Sequence, residues 1–465
     1  MIRYFLLLII SFNFTFSQSL QTKIDKLFED EFFQKCGVSV QVEDMTSNQT
    51  IYQKNAEMLF KPASNMKVLT TVAGLIYLGP DYKFETSLFR DGIIKDSTLY
   101  GNLYVVGGCD PDFTTKDFYY FVDTLKALGI SEISGNIYGD VSFKDSLFWG
   151  KGWMWDDDPS SDAPYLSALN LNDNCVNVIV NRNENSKQPE VKIIPNTKFV
   201  SLKNELSSKS DKEFQITRNW IERKNEIVVE GQFPDYIKNA DEIVNVFDPA
   251  KYFLTVFSEV LDSNYIKLKG NIEIKNAPLY SQKICSFNRT FGDIIKNLNK
   301  TSDNLSAEMT LRAISEKYSG KPACADSGLQ VVKMILDSTG LNSKDYRIVD
   351  GSGVSHYNLI SAELLAKLLK YIYDKHPDLQ KILYVSFPVA GVDGTLENRM
   401  QKSNAINNVH AKTGTLSGVS CLSGYVQAKN NHQLSFSIMM QNFVGSSRTA
   451  RNFQDEICKI LAEYN

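Results

Sequence analysis

Between Met66 and Ile76 the apolar positions Met66, Val68, Leu69, Val72, Ala73 and Ile76 recur at spacings of three and four, which predicts a buried helix. Pro62 precedes it, and Gly79-Pro80 marks its end. Upstream, 24–33 has a helical pattern, and 38–42 alternates as a strand with 48–53 as its hairpin partner. From about residue 85 to 280 the texture changes to short alternating segments punctuated by Gly, Asp and Asn, which reads as mostly β. Asp248-Pro249 opens a helix through Leu261. Helical patterns return at 291–298, 306–317, 328–338 and 362–373. Two strands follow, 419–427 and 433–441, joined by a Lys429-Asn430-Asn431 turn, and a final helix covers about 446–464. Helical ends around a β-rich middle predict an α/β (α+β) fold. Its economical form is one discontinuous domain, 18–84 with 285–465, interrupted by an insert over 85–284. The lysine-rich stretch 184–241 suits a nested subdomain.

The first ten residues carry Arg3 and then an apolar run that Ser11, Asn13, Thr15 and Ser17 soon interrupt. The run is shorter than a spanning helix needs and reads as a signal peptide over 1–17, cleaved near Ser17, which predicts export to the periplasm; an uncleaved membrane anchor is the alternative reading. The first cysteine, Cys36, is too distant for a lipoprotein anchor, and no later stretch suits a membrane span. With 465 residues and 43% hydrophobic content the chain exceeds one ordinary domain. A net charge of −4 offers no basic field for nucleic acid. Seven cysteines form no C-x-x-C pair and there are only four histidines, so neither a metal nor a cofactor is expected. The odd cysteine count leaves at least one thiol unpaired.

Three short motifs carry chemistry. Ser64-Asn65-Met66-Lys67 at a helix start puts Lys67 one turn beyond Ser64, on the same face. A serine hydroxyl needs an adjacent base, and a desolvated lysine can be one. An exposed helix pair is the alternative reading. Ser302-Asp303-Asn304 stands just before a helix; it offers a relay hydroxyl and a peptide-holding amide, or an ordinary N-cap. Lys412-Thr413-Gly414-Thr415 leads into the strand from Val419; it suits a carboxylate-binding edge, or a plain loop-to-strand junction. S-x-x-K, S-D-N and K-T-G in this chain order resemble β-lactamases and penicillin-binding proteins.

The resemblance narrows further. Residues 62–71, 107–112 (G-G-C-D-P-D), 152–157, 350–353, 388–395 and 412–416 are similar to the class C low-molecular-mass penicillin-binding proteins. The long insert between Ser64 and Ser302 separates that family from class A β-lactamases. The resemblance implies a split transpeptidase/β-lactamase-like domain and a D-alanyl-D-alanine carboxypeptidase/endopeptidase acting on peptidoglycan peptides and inhibited by β-lactams. It implies Ser64 as nucleophile, Lys67 as base, Ser302 and Lys412 as a proton relay, and Asn304 on the acyl peptide. Thr413, Thr415 and Lys412 would bind the terminal carboxylate, with Gly414 permitting close backbone approach. The backbone N–H groups of Ser64 and Thr415 would form the oxyanion hole. Asp157 would meet the free amine of the stem's diamino acid. His356 stands where the family usually has Arg, and a mostly neutral imidazole forms no bidentate carboxylate pair. A β-lactamase, and a non-catalytic wall-binding or β-lactam-sensing protein, are the rival readings. The sequence is silent on oligomeric state.

Overall fold

The computed structural model describes residues 19–182 and 188–465. The expected signal peptide and the start of the lysine-rich stretch lie outside the described residues.

Both ends of the chain build one five-stranded antiparallel sheet. Its order is His410–Leu416, Val419–Gln427, Gln433–Gln441, Gly37–Asp44, Gln49–Lys54. Val40 opposes Ile438, and Cys421 opposes Met439. Successive side chains along a strand serve opposite faces. Cys421, Tyr425 and Met439 enter a core with the helices Met66–Tyr77 and Ala362–Lys375, while Leu422, Val426, Ile438 and Met440 enter a second core with Leu20–Leu27 and Arg448–Ala462. Both faces are covered, so these strands are apolar on both sides rather than alternating. The helix Met66–Tyr77 is buried over ten of its twelve residues and packs against Asn304–Ser319. An all-round apolar helix of this kind belongs inside a core.

The remaining sheets come from residues 83–290 and share a third core with the helices Phe118–Ala127 and Pro249–Ser263. The strand Lys83–Arg90 pairs antiparallel with Gln282–Thr290, so the expected crossings at 85 and 285 fall within one strand pair. Two three-stranded sheets occupy the middle of this region. One has the order Glu190–Ile194, Cys175–Asn181, Asn239–Asn245 and the other Ser201–Leu206, Glu226–Gly231, Gln215–Arg218.

The fold class is α/β, as expected. Several local expectations change. The pattern at 24–33 resolves into the helix Leu20–Leu27 and a short turn Glu31–Gln34, because Asp30 accepts from the Phe32 N–H and starts a new cap. The β-rich middle contains the helix Phe118–Ala127, whose Phe118, Phe121, Val122 and Leu125 form one buried face. The helix Pro377–Ser386 begins on a proline at its first position, which the strand and helix patterns did not reveal. All seven thiols are unpaired, and Cys109, Cys175, Cys421 and Cys458 are buried. Among the described residues no helix is long and apolar enough to cross a membrane.

Candidate active site

Ser64 lies in the short turn Ala63–Asn65 that runs directly into Met66–Tyr77. Ala63 just before it has φ 48°, a left-handed conformation that costs an alanine energy and points to a site where backbone geometry is over-determined. Two glycines let other segments close on this turn. A Cβ on Gly353 would lie 1.9 Å from the Ala63 carbonyl oxygen, and one on Gly414 would lie 2.8 Å from that of Pro62. The Asn65 side chain donates to the Lys412 carbonyl at 3.1 Å, tying the turn to the edge strand.

Lys412-Thr413-Gly414-Thr415 leads into the strand from Val419 as expected, but it lies within a strand of its own, His410–Leu416, that pairs with the next and is no plain junction. One side of that strand pairs with Val419–Gln427; on the other side His410 bridges to Val389 and the Ala411 N–H donates to the Pro388 carbonyl, so the edge that borders the cleft starts at Lys412. Ser302 has φ 68°, and Asp303 caps the helix Asn304–Ser319 by accepting from the Ser306 N–H at 2.5 Å. The N-cap and the candidate relay are therefore the same loop: Asp303 caps, leaving Ser302 and Asn304 to face the cleft.

Ser64, Ser302, Asn304, Thr413, Gly414, Thr415 and Asp157 line one cleft of about 390 Å³. Lys67 and Lys412 are fully buried beneath it. The Lys67 Nζ lies 2.9 Å from Ser64 Oγ, 2.8 Å from the Ser352 carbonyl oxygen, and in contact with Asn304 Oδ1. Burial lowers its pKa to about 8, opposed by the carboxylates of Asp303, Asp350, Asp162 and Glu308. A neutral amine has two N–H donors and one lone pair. Asn304 Oδ1 and the Ser352 carbonyl can only accept, so they take the two donors and leave the lone pair for the Ser64 hydroxyl. The Lys412 Nζ donates to Ser302 Oγ at 2.7 Å and to the Thr413 carbonyl at 2.9 Å. Burial, and then the charge of Lys67, push its pKa well below the ordinary lysine value.

Asp157 accepts from the Met154 N–H at 2.7 Å, and burial and neighbouring Asp156 raise its pKa. His356 does not line the cleft. Its Nδ1 lies 3.5 Å from Lys61 Nζ, and burial and that cation lower its pKa. A cation thus stands beside the histidine in this corner.

Several supporting residues were not singled out by sequence reasoning. Asp350 accepts from the N–H groups of Gly353 and Ser355, from Asn358 and from the Trp153 indole, which shapes the loop that offers the Ser352 carbonyl. Glu308 accepts from Gly351 and Ser352 N–H and pairs with Arg312 at 2.5 Å. The Asp162 carbonyl accepts from Asn304 Nδ2 at 2.6 Å, and Thr395 Oγ1 meets Thr413 Oγ1 at 2.8 Å. Asp350 and Thr395 fall in stretches that carried the family resemblance; a backbone carbonyl such as that of Asp162 leaves no sequence signal.

The chain matches the D-Ala-D-Ala carboxypeptidase 3 (S13) family over residues 20–464. It belongs to that family. It is 29% identical over 399 residues to the D-alanyl-D-alanine carboxypeptidase DacB of Haemophilus influenzae, covering 84% of this chain and 83% of that one. It is 29% identical over 461 residues to the D-alanyl-D-alanine carboxypeptidase of an Actinomadura species, covering 96% and 85%. Among solved structures, penicillin binding protein 4 of Haemophilus influenzae superposes with a TM-score of 0.84 at 26% identity, covering 95% of this chain and 99% of that one. A second structure of that protein, complexed with a β-lactam, superposes at 0.77 with 24% identity, covering 95% and 100%. This S13 protein is a serine-type D-Ala-D-Ala carboxypeptidase.

Proposed function

We propose that Ser64 is the acylated nucleophile and Lys67 its base, and that the substrates are the D-alanyl-D-alanine ends of peptidoglycan stem peptides. The Lys67 lone pair takes the hydroxyl proton as Ser64 Oγ bonds to the carbonyl carbon between the two D-alanines. The backbone N–H groups of Ser64 and Thr415 stabilise the oxyanion, worth about 3 kcal/mol per donor. The C–N bond then breaks, and the proton that Lys67 took passes by way of the Ser302–Lys412 pair to the leaving amine, which restores both lysines. Water hydrolyses the ester and restores Ser64. Asn304 orients the acyl peptide; Thr413, Thr415 and Lys412 hold the terminal carboxylate, and Gly414 keeps the strand close enough to do so. Asp157 meets the stem's free amine.

The observation that carries this reading is the Lys67 amine, whose two donors are used by acceptor-only atoms while Ser64 Oγ stands 2.9 Å away. We read the chain as a discontinuous catalytic domain, 18–84 with 285–465, around an insert at 85–284, with a nested subdomain near 184–241. Export to the periplasm and endopeptidase action on cross-links belong to the same proposal, since both activities cut the same bond type. The β-lactam complex of the Haemophilus influenzae protein supports binding of these drugs.

The test is intact-mass spectrometry after brief exposure to benzylpenicillin, with Ser64→Ala beside the unmodified chain. One stable adduct, absent from the variant, is expected. Penicillin recovered intact without an adduct would point to a binding role, and hydrolysed penicillin without an adduct to a β-lactamase.

A further inference from the structure

All four tryptophans of the chain lie in one place. Trp149, Trp153, Trp155 and Trp220 line a trough of about 380 Å³ together with Phe148 and Arg223. Trp153 is buried, and its indole N–H is used by Asp350. Trp155 is different: it is 73% exposed, with its ring 5.0 Å from that of Trp220. A large indole left in water beside a second one is unfavourable in itself and marks a surface built to be covered.

This surface rests on a rigid base. Trp155 is followed by Asp158, whose buried carboxylate pairs with the fully buried Arg218 and accepts from Tyr165 Oη at 2.8 Å. Arg218 also donates to Asn245 Oδ1 at 3.0 Å. Arg218 ends the strand Gln215–Arg218, and Trp220 stands two residues beyond it. One buried ion pair therefore clamps the two segments that carry the exposed indoles.

The trough also has polar edges. Among the described residues the indole N–H groups of Trp155 and Trp220 have no hydrogen-bond partner, and the Arg223 guanidinium lies over the Phe148 ring with no carboxylate beside it. Flat aromatic faces with free N–H donors at the margin fit a pyranose, which has apolar C–H faces and a rim of hydroxyl and acetamide oxygens. An apolar side chain would leave those donors unused. The trough adjoins the cleft through consecutive residues: Asp157 lines the cleft and Asp158 lines the trough.

We propose that the trough binds the N-acetylated amino-sugar disaccharide from which the stem peptide hangs, so that sugar and peptide are held together. This rests on the reading that the cleft takes peptidoglycan peptides. The clamped base means that little ordering is needed on binding, so the contact adds affinity.

The test compares D-alanine release from a disaccharide-pentapeptide and from the same free pentapeptide, in the unmodified enzyme, Trp220→Ala and Trp220→Tyr. The unmodified enzyme should favour the sugar-bearing substrate by about tenfold in kcat/KM, carried by KM. Trp220→Ala should bring the ratio close to one, while Trp220→Tyr keeps most of it. Free-pentapeptide turnover and benzylpenicillin acylation should stay within about twofold in both variants. The same ratio in the unmodified enzyme and Trp220→Ala, with acylation intact, would overturn the proposal. A second measurement titrates the peptide-free disaccharide into the unmodified protein and follows tryptophan fluorescence. A saturable change, weakened by Trp220→Ala and largely kept in affinity by Trp220→Tyr, supports the trough even if no D-alanine is released from either substrate; no change up to millimolar sugar refutes it whatever the cleft does.

Discussion

Lys67 and Lys412 are buried against hydroxyls, an amide and carbonyls, whereas Arg218 and Arg312 are buried against the carboxylates of Asp158 and Glu308. The difference separates two uses of a buried cation. A buried pair with good geometry is held for its shape, and removing one partner strands the other charge. A buried lysine without a carboxylate in contact is held near neutrality by desolvation and can move a proton at ordinary pH. The arginine pairs shape the frame: one clamps the tryptophan trough, and the other supports the loop that supplies the Ser352 carbonyl. The lysines serve the two serines.

The largest effect that would break this comparison is at Ser64, the proposed nucleophile. Ser64→Ala should lower acylation by benzylpenicillin at least ~10³-fold, read by adduct mass, with the unfolding midpoint nearly unchanged.

Lys67→Ala should slow acylation about 10²- to 10⁴-fold. In the unmodified enzyme the acylation rate should climb as pH rises through about 8, where Lys67 loses its proton. The same lowered pKa has a stability sign. Between about 8 and the ordinary 10.5 the unfolded lysine still holds a proton that the folded one has released, so this residue's contribution to stability rises with pH across that window. Stopped-flow acylation and urea melts from pH 7 to 10 check both slopes; a rate that is flat through pH 8 would put Lys67 on the structural side of the comparison.

Asp158→Ala should behave in the opposite way. It leaves Arg218 buried and unpaired, so we expect a loss of about 3–5 kcal/mol in denaturant unfolding with the penicillin adduct still formed by the folded fraction. Stability unchanged in this variant would remove the distinction between frame and cleft.

A smaller effect sharpens the boundary between them. Gly414→Ala puts a methyl 2.8 Å from the Pro62 carbonyl and 3.0 Å from the Asn65 nitrogen. The edge strand must shift away from the Ser64 turn, and we expect about a tenfold loss in acylation with under ~2 kcal/mol lost in stability.

Much of this was legible along the chain. The strand pair 419–427 and 433–441 matches the observed Val419–Gln427 and Gln433–Gln441, because a dense apolar run closed by a Lys-Asn-Asn turn has few other ways to fold. The cleft residues were legible because each motif needs residue types at fixed local spacing: Lys67 must lie one helical turn from Ser64. The helix Phe118–Ala127 was not, since four buried residues among short alternating segments do not outweigh their neighbours. The placement of Lys412 within a strand was missed because glycine and threonines read as a junction, whereas the glycine serves the close approach to Pro62.

The sequence by itself determined the α/β class, the three motifs and their order, and the family to which the chain belongs. Those depend on periodicity and on short-range spacing, which the covalent chain carries. Only the tertiary structure decided that Asn304 and the Ser352 carbonyl occupy both donors of Lys67, that His356 stands beside Lys61 outside the cleft, and that four tryptophans scattered over 72 positions share one trough. Each of these joins residues that chain order leaves far apart, and only packing, by excluding water and setting distances, turns them into neighbours.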